Sequence, residues 1–220
     1  MSIKKTVFVI TYGRSGSTLL QGILNAIKGY EIRGENMASL VPLFRSYKKI
    51  FQARYEHGRS PMSERDPWYG ADLMVPDEYA HALVSVFIDR IIKPSDSSNV
   101  IGFKEIRYGG MEFPDVEEAN EYLRFLGKFF PEARFIFNER NVKDTAKSGW
   151  WANDAGAEES ISDLLRRMKI MYEANKDKSY WLSYDDYKEN PLALSGLFGF
   201  LEEDFDVDVV SKIMSKRHSY

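Results

Sequence analysis

The feature that most limits what this chain can fold into is an unbroken passage from strand to loop to helix near its start. Residues 6–10, Thr-Val-Phe-Val-Ile, form a β-branched and apolar run with no polar alternation. Such a run reads as a strand buried on both faces, the pattern of a parallel sheet. The loop Tyr12-Gly13-Arg14-Ser15-Gly16-Ser17-Thr18 follows. From Ser17 the spacing turns helical, with Leu19, Leu20, Ile23, Leu24 and Ile27 on one face and Gly29 as the expected C-cap.

The rest of the chain repeats this alternation. Apolar runs predict strands at 30–32, 100–103, 133–138 and 180–183. Helical spacing predicts helices over 36–55, 76–92, 116–130, 143–151, 158–175 and 191–201. Residues 56–76, rich in Gly, Pro, Ser and charge, read as a long surface loop, and 94–98 as a turn. Strands alternating with helices require right-handed crossovers and a sheet covered on both faces. The expected fold is therefore α/β: a P-loop-NTPase-like three-layer sandwich with a central, mainly parallel sheet flanked by helices. The 220 residues are read as one domain, 1–220, with 36–98 as a helical and loop insertion that shapes a substrate pocket.

Composition narrows the function classes. With no cysteine there is no disulfide framework, thiolate metal site or Cys nucleophile. A net charge of −3 argues against a nucleic-acid partner, whose electrostatic footprint is basic. An anionic ligand must instead be met by a local arrangement of donors. No segment approaches 18 apolar residues, so no integral membrane segment is expected, and the chain reads as cytoplasmic. Its oligomeric state is left open.

The first loop suits a phosphate. Gly13 and Gly16 let backbone N–H groups approach an anion, and the helix that starts at Ser17 adds its dipole and free N–H groups. Ser15, Ser17 and Thr18 bring hydroxyl donors, and Arg14 a forked cation. The bland alternative is a structural turn with Ser17 as N-cap. A Walker A loop is excluded: its glycines stand five apart and are followed by Lys, whereas here they stand three apart and Ser17-Thr18 follow directly.

After the 133–138 strand comes Asn138-Glu139-Arg140-Asn141-Val142-Lys143-Asp144-Thr145-Ala146-Lys147-Ser148. Arg140 stands at a strand end and Ser148 about two turns into the next predicted helix. Alone, they read more readily as a helix-start ion pair with Asp144 and a surface serine.

Together, the Gly-Arg-Ser-Gly-Ser-Thr loop and the later Arg-Asn-x-x-Asp-x-x-x-Ser resemble the sulfotransferases that use 3′-phosphoadenosine 5′-phosphosulfate (PAPS). A third match is Leu182-Ser183-Tyr184-Asp185-Asp186-Tyr187 with Asn190-Pro191 and Phe200-Leu201, similar to the family's C-terminal pattern. The style is that of bacterial carbohydrate and tyrosyl-protein sulfotransferases. The resemblance implies that Arg14, Ser15, Gly16, Ser17 and Thr18 grip the 5′-phosphosulfate, that Arg140 and Ser148 grip the 3′-phosphate, and that no metal takes part. It also implies transfer of a sulfuryl group to a hydroxyl on a small-molecule or carbohydrate acceptor of sugar, lipid or tyrosyl type. Tyr184 to Tyr187 are read as mainly structural.

A base is needed for the acceptor hydroxyl. Many relatives use a His after a middle strand, where this chain has Lys104-Glu105-Ile106. The three histidines, His57, His81 and His218, sit in no supporting motif. Glu35, after the second strand, matches the position of a catalytic Glu in the relatives, and Glu105 is the runner-up. Arg14 and Lys104 complete the expected catalytic set, with Arg107 lining the pocket. Trp150 and Trp151 either stack on the adenine, form a wall for the acceptor or, as aromatics more commonly do, simply pack. Lys216-Arg217-His218 either fold back onto it or fray. Two other functions fit the loop: a P-loop nucleotide or small-molecule kinase, and a nucleotide-binding module without catalysis.

Overall fold

The structure, a computed structural model, describes residues 3–215, so Lys216, Arg217 and His218 lie outside the described residues. In chain order its main elements are β1 (Lys5–Ile10), α1 (Ser17–Leu24), β2 (Tyr30–Arg33), α2 (Leu40–His57), α3 (Pro76–Phe87), β3 (Val100–Glu105), α4 (Val116–Phe129) and β4 (Ala133–Glu139). They continue with α5 (Val142–Ala146), α6 (Ala157–Ala174), β5 (Ser179–Ser183), α7 (Tyr184–Tyr187), α8 (Ser195–Leu201) and α9 (Val207–Met214).

The five strands form one sheet in the order β2-β3-β1-β4-β5, and every neighbouring pair is parallel. The fold is thus α/β with a wholly parallel sheet, as the unalternated apolar runs predict. All six residues of β1 are buried. Val7 and Val9 face Leu20, Ile23 and Leu24 of α1 and Leu197 of α8. On the opposite face Phe8 meets Phe103, Phe130 and Phe135 at ring separations of 5.2, 5.2 and 5.7 Å. The period of two along the strand thereby builds both hydrophobic layers at once.

The strand order decides where a ligand can sit. From β1 the chain leaves towards β2 on one side, and from β4 it leaves towards β5 on the other. The loops after β1 and β4 diverge, and a crevice opens between them at the C-terminal edge of the sheet. Both phosphate-binding candidates from the sequence follow these two strands.

Several local expectations differ from the structure. Gly29 does not cap α1. The helix ends at Asn25, whose side chain instead grips β2, accepting from Ile32 N–H at 2.7 Å and donating to its carbonyl at 2.9 Å. The helix predicted over 143–151 stops after one turn at Ala146, because Gly149 at φ +59 turns the chain into a short 3-10 segment, Gly149–Asn153. Ser148 is consequently extended, not helical. The long loop contains a 3-10 turn, Ala71–Leu73, and the 191–201 helix is a 3-10 turn, Pro191–Leu194, running into α8. α9 lies beyond the last helix that the spacing predicts, although Asp206 announces it by accepting from the N–H groups of Asp208 and Val209.

The chain divides into two compact units. Residues up to Ala38 and from Pro94 onward carry the whole sheet. Ser39–Lys93 hold α2 and α3, which continues into a π-helical turn, Ile88–Ile92. Within this second unit His57 stacks on Trp68 with ring centroids 3.8 Å apart.

Candidate active site

The loop after β1 takes its shape from two left-handed residues, Arg14 at φ +68 and Gly16 at φ +81. At Gly16 this conformation suits glycine, and a Cβ there would also overlap the ring of Tyr184. A Cβ on Gly13 would overlap Trp150. The loop therefore winds tightly and opens its backbone towards the start of α1. No side chain among the described residues caps that helix, and no acidic residue stands in its first turn. The positive end of α1 is left to face the crevice.

The loop is anchored from beneath by neutral polar groups. Asn138, fully buried on β4, donates to the Ser15 carbonyl at 3.0 Å and accepts from Tyr187 Oη at 2.9 Å. Thr11 Oγ1 donates to the Asn138 carbonyl at 2.7 Å and meets Ser15 Oγ at 2.5 Å. Ser15 is fully buried and its hydroxyl is committed to Thr11, so what Ser15 offers a ligand is its backbone. Trp151 Nε1 donates to the Gly13 carbonyl at 3.0 Å, fixing the outer rim.

Arg140 sits across the crevice. Tyr12 Oη donates to its carbonyl at 2.6 Å and accepts from its N–H at 2.9 Å, tying the end of β4 to the loop after β1. Burial pushes the Tyr12 hydroxyl up to about 12, with the Glu139 charge reinforcing the shift against the Arg140 hydrogen bond. The guanidinium donates through Nη1 to the Arg14 carbonyl at 3.2 Å and lies 5.3 Å from the centre of the Tyr184 ring. Its Nε is buried without a hydrogen-bond partner among the described residues. A buried donor left unpaired costs stability, so this one points to a group that arrives from outside. Arg14 Nε donates to Ser148 Oγ at 3.2 Å. Arg14, Arg140 and Ser148 are thus brought together even though Ser148 is not helical.

A cavity of about 330 Å³ is lined by Gly13, Arg14, Gly16, Ser17, Thr18 and Arg140 together with Glu35 and Lys104, while Ser148 stands behind Arg14 and does not line it. A ligand with anionic groups fits this lining. Its floor offers an uncapped helix start, a tight glycine loop and an unpartnered guanidinium N–H.

At the other end of the cavity stands an acid–base cluster. Lys104 Nζ, nearly buried, donates to Glu35 Oε1 at 2.6 Å, and Arg107 Nη1 donates to Glu35 Oε2 at 3.3 Å. A third of the Glu35 side chain remains exposed. Glu105 is different. It is buried and accepts from the N–H groups of Asn36, Ala38, Ile106 and Arg107 and from Arg107 Nη1. Burial alone would raise its carboxyl, but these hydrogen bonds and the Arg107 charge hold it below the usual carboxylate range.

Sequence reasoning passed over several lining residues. Lys188 and Met214 reach the cavity from the ends of α7 and α9. Lys188 pairs with Asp185 at 3.0 Å, and Asp185 in turn accepts from the Asn141 N–H at 2.6 Å. The i, i+3 spacing of Asp185 and Lys188 was the available signal for that pair. For Met214 it was the capped apolar repeat after Asp206. Among the described residues, no three His, Asp or Glu side chains gather as a metal site, and no helix is long and apolar enough to cross a membrane.

The family model described as "Sulfotransferase family" matches residues 6–206, which include the loop after β1, Glu35, Lys104, Arg140 and Ser148. Among solved structures, the sulfotransferase domain of the Synechococcus PCC 7002 olefin synthase superposes with a TM-score of 0.57 at 15% identity, covering 99% of this chain and 79% of that one. At that identity the likeness concerns the fold. A sugar kinase from Janibacter sp. HTCC2649 covers 90% of this chain and 95% of its own at 14% identity, with a TM-score of only 0.40. No curated protein sequence matches the chain.

Proposed function

This chain belongs to the sulfotransferase family, and we propose that it transfers a sulfuryl group from PAPS to a hydroxyl acceptor. The observation that carries this reading is Arg140, whose backbone is fixed by Tyr12 and whose guanidinium donates to the Arg14 carbonyl, yet whose buried Nε has no hydrogen-bond partner among the described residues. A donor with one phosphate would need only the loop after β1. A second anion site on the far side of the crevice suits a nucleotide phosphorylated at both 5′ and 3′ positions.

In this reading the backbone of Ser15 and Gly16, with Ser17, Thr18 and the start of α1, holds the 5′-phosphosulfate. Arg140 and Ser148 hold the 3′-phosphate. The acceptor oxygen attacks sulfur while the bond from sulfur to the 5′-phosphate oxygen breaks, and the electron pair of that bond leaves on the phosphate. Arg14 and the loop amides offset the charge that develops there. The acceptor proton passes to the Glu35 carboxylate. Lys104 and Arg107 orient that carboxylate, and Lys104 lines the same cavity as Arg14, Ser17 and Thr18. The products are the sulfated acceptor and 3′-phosphoadenosine 5′-phosphate (PAP). Glu105, with its five hydrogen bonds, is poorly suited to the base's role.

The test is incubation with PAPS and a panel of sugar, lipid-linked and phenolic hydroxyls, with mass spectrometry of the acceptors. A sulfuryl adduct accompanied by PAP, insensitive to chelators, is expected. Phosphorylation of the same acceptors from Mg²⁺–ATP, without sulfation, would instead make the protein a kinase.

A further inference from the structure

Glu105 is the most heavily hydrogen-bonded carboxylate beside the cavity, and the proposed transfer gives it no chemical step. Its position follows from the sheet. Glu105 ends β3 opposite Ile10 of β1, and its carbonyl accepts from the Thr11 N–H at 3.2 Å, one residue before the nucleotide loop begins. Its side chain turns to the segment after β2. There Met37 and Ala38 adopt left-handed backbone angles, φ +59 and +53, which few non-glycine residues do. This geometry brings the N–H groups of Asn36 and Ala38 onto one oxygen, Glu105 Oε2, at 3.3 and 2.8 Å. Such conformations persist only where surrounding contacts hold them. Here the buried carboxylate supplies those contacts.

The other oxygen orients the cation. Oε1 accepts from the N–H groups of Ile106 and Arg107 at 2.8 and 3.2 Å and from Arg107 Nη1 at 2.8 Å. The same Nη1 reaches Glu35 Oε2 at 3.3 Å. One carboxylate therefore controls both the loop that carries Glu35 and the guanidinium that holds one of its oxygens.

We infer that Glu105 is a positioning residue for Glu35: it folds the 34–38 segment around itself and aims Arg107, so that the Glu35 carboxylate meets the acceptor at a set place and angle. The inference rests on Glu35 as the base of the proposed transfer. It gives buried charge at a strand end a purpose that a neutral side chain of the same shape would not serve. A glutamine cannot accept from all five donors, because its NH₂ would be set against N–H groups.

The experiment is a double-mutant cycle on PAP released from PAPS with the acceptor panel. Glu35→Gln, Glu105→Gln and the double variant are compared with the wild type, and PAP affinity is measured for each. Glu105→Gln should lower kcat on the order of a hundredfold, the scale of a small misplacement of a reacting group. It should leave PAP affinity within about twofold, and it should add less than about twofold when Glu35 is already Gln, since coupled residues are not additive. Losses that multiply in the double variant, or a matching loss of PAP affinity, would overturn the inference. If Glu105→Gln does not fold, Arg107→Lys replaces it. Lysine keeps the charge, but its shorter side chain does not reach the place where Arg107 Nη1 bridges the two carboxylates, so the same non-additivity with Glu35→Gln is expected and multiplication again overturns it. A Glu35→Gln enzyme with unchanged kcat is a separate failure: it removes the base from the proposed function, and the inference falls with it. A wild type that consumes no PAPS overturns the proposed function as a whole.

Discussion

Tyr12 and Arg140, 128 residues apart in sequence, share a two-way hydrogen bond in which one phenol donates to the Arg140 carbonyl and accepts from the Arg140 N–H. It spans β1 and β4, the two strands between which the crevice opens, and so sets the distance between the two halves of the proposed nucleotide site. Tyr12→Phe keeps the ring and removes both bonds. The loss of stability should be about 1–3 kcal/mol, the scale for buried polar groups left unpaired, and PAP binding should weaken with it. Urea unfolding and calorimetric titration check the two parts.

The same phenol makes a pH prediction. Its folded-state value is raised from 10.0 to about 12 by burial. A raised value means that the folded state holds the proton more tightly than the unfolded chain. The stabilisation is present in full below pH 10, and it is lost as pH climbs towards 12. Tyr12→Phe should lack this alkaline decline, which stability curves measured across that window would reveal.

Glu105 predicts the opposite limb. Its carboxyl is held below the ordinary value of 4.5 by the surrounding N–H groups and Arg107, despite burial. A lowered value stabilises the fold above the unfolded-state value, and that contribution disappears as pH falls through the folded one. Urea midpoints followed down through the acid range should fall less steeply for Glu105→Gln than for the wild type.

Gly16 joins two constraints, a left-handed φ of +81 and contact with the Tyr184 ring. Gly16→Ala should destabilise the protein by at least about 1–2 kcal/mol from the backbone alone and abolish PAP binding. Adding Tyr184→Ala removes the steric overlap but not the backbone strain, so it should restore only part of the stability. Thermal unfolding of the wild type and the two variants separates the contributions.

What was legible in the sequence was what is local. The apolar run before Gly13 and the spacing of Leu20, Ile23 and Leu24 foretell β1 and α1, because strand and helix periods are written into neighbouring residues. Gly13 and Gly16 foretell the tight loop for the same reason. The place of Ser148 was not legible. It depends on a left-handed Gly149 and on the reach of Arg14, neither of which has a periodic signature. Asn138 and Tyr187, which support the loop from below, look like any polar strand residue and any helix tyrosine until β4 and α7 are packed together. Glu105 shows this limit most clearly. A carboxylate at a strand end reads equally well as a base or as a structural hub, and only the approach of the Asn36 and Ala38 amides distinguishes the two.

Glu35 carries the prediction closest to the chemistry. Glu35→Gln removes the proton acceptor while leaving the nucleotide loop and Arg140 untouched. PAP affinity should be unchanged, and kcat should fall by about 10²–10⁴-fold, the usual contribution of a general base. Steady-state turnover alongside calorimetry provides the check.

In the proposed function Arg140 and the loop after β1 form a clamp for two phosphates. Its most direct measurement is calorimetric titration of the wild type and Arg140→Ala with PAP and with adenosine 5′-phosphate, which lacks the 3′-phosphate. The wild type should prefer PAP by about 10–100-fold, the scale of a charge-assisted hydrogen bond. Arg140→Ala should lose that preference while binding adenosine 5′-phosphate about as well as the wild type does. Equal losses for both nucleotides, or a wild type that does not distinguish them, would contradict the account.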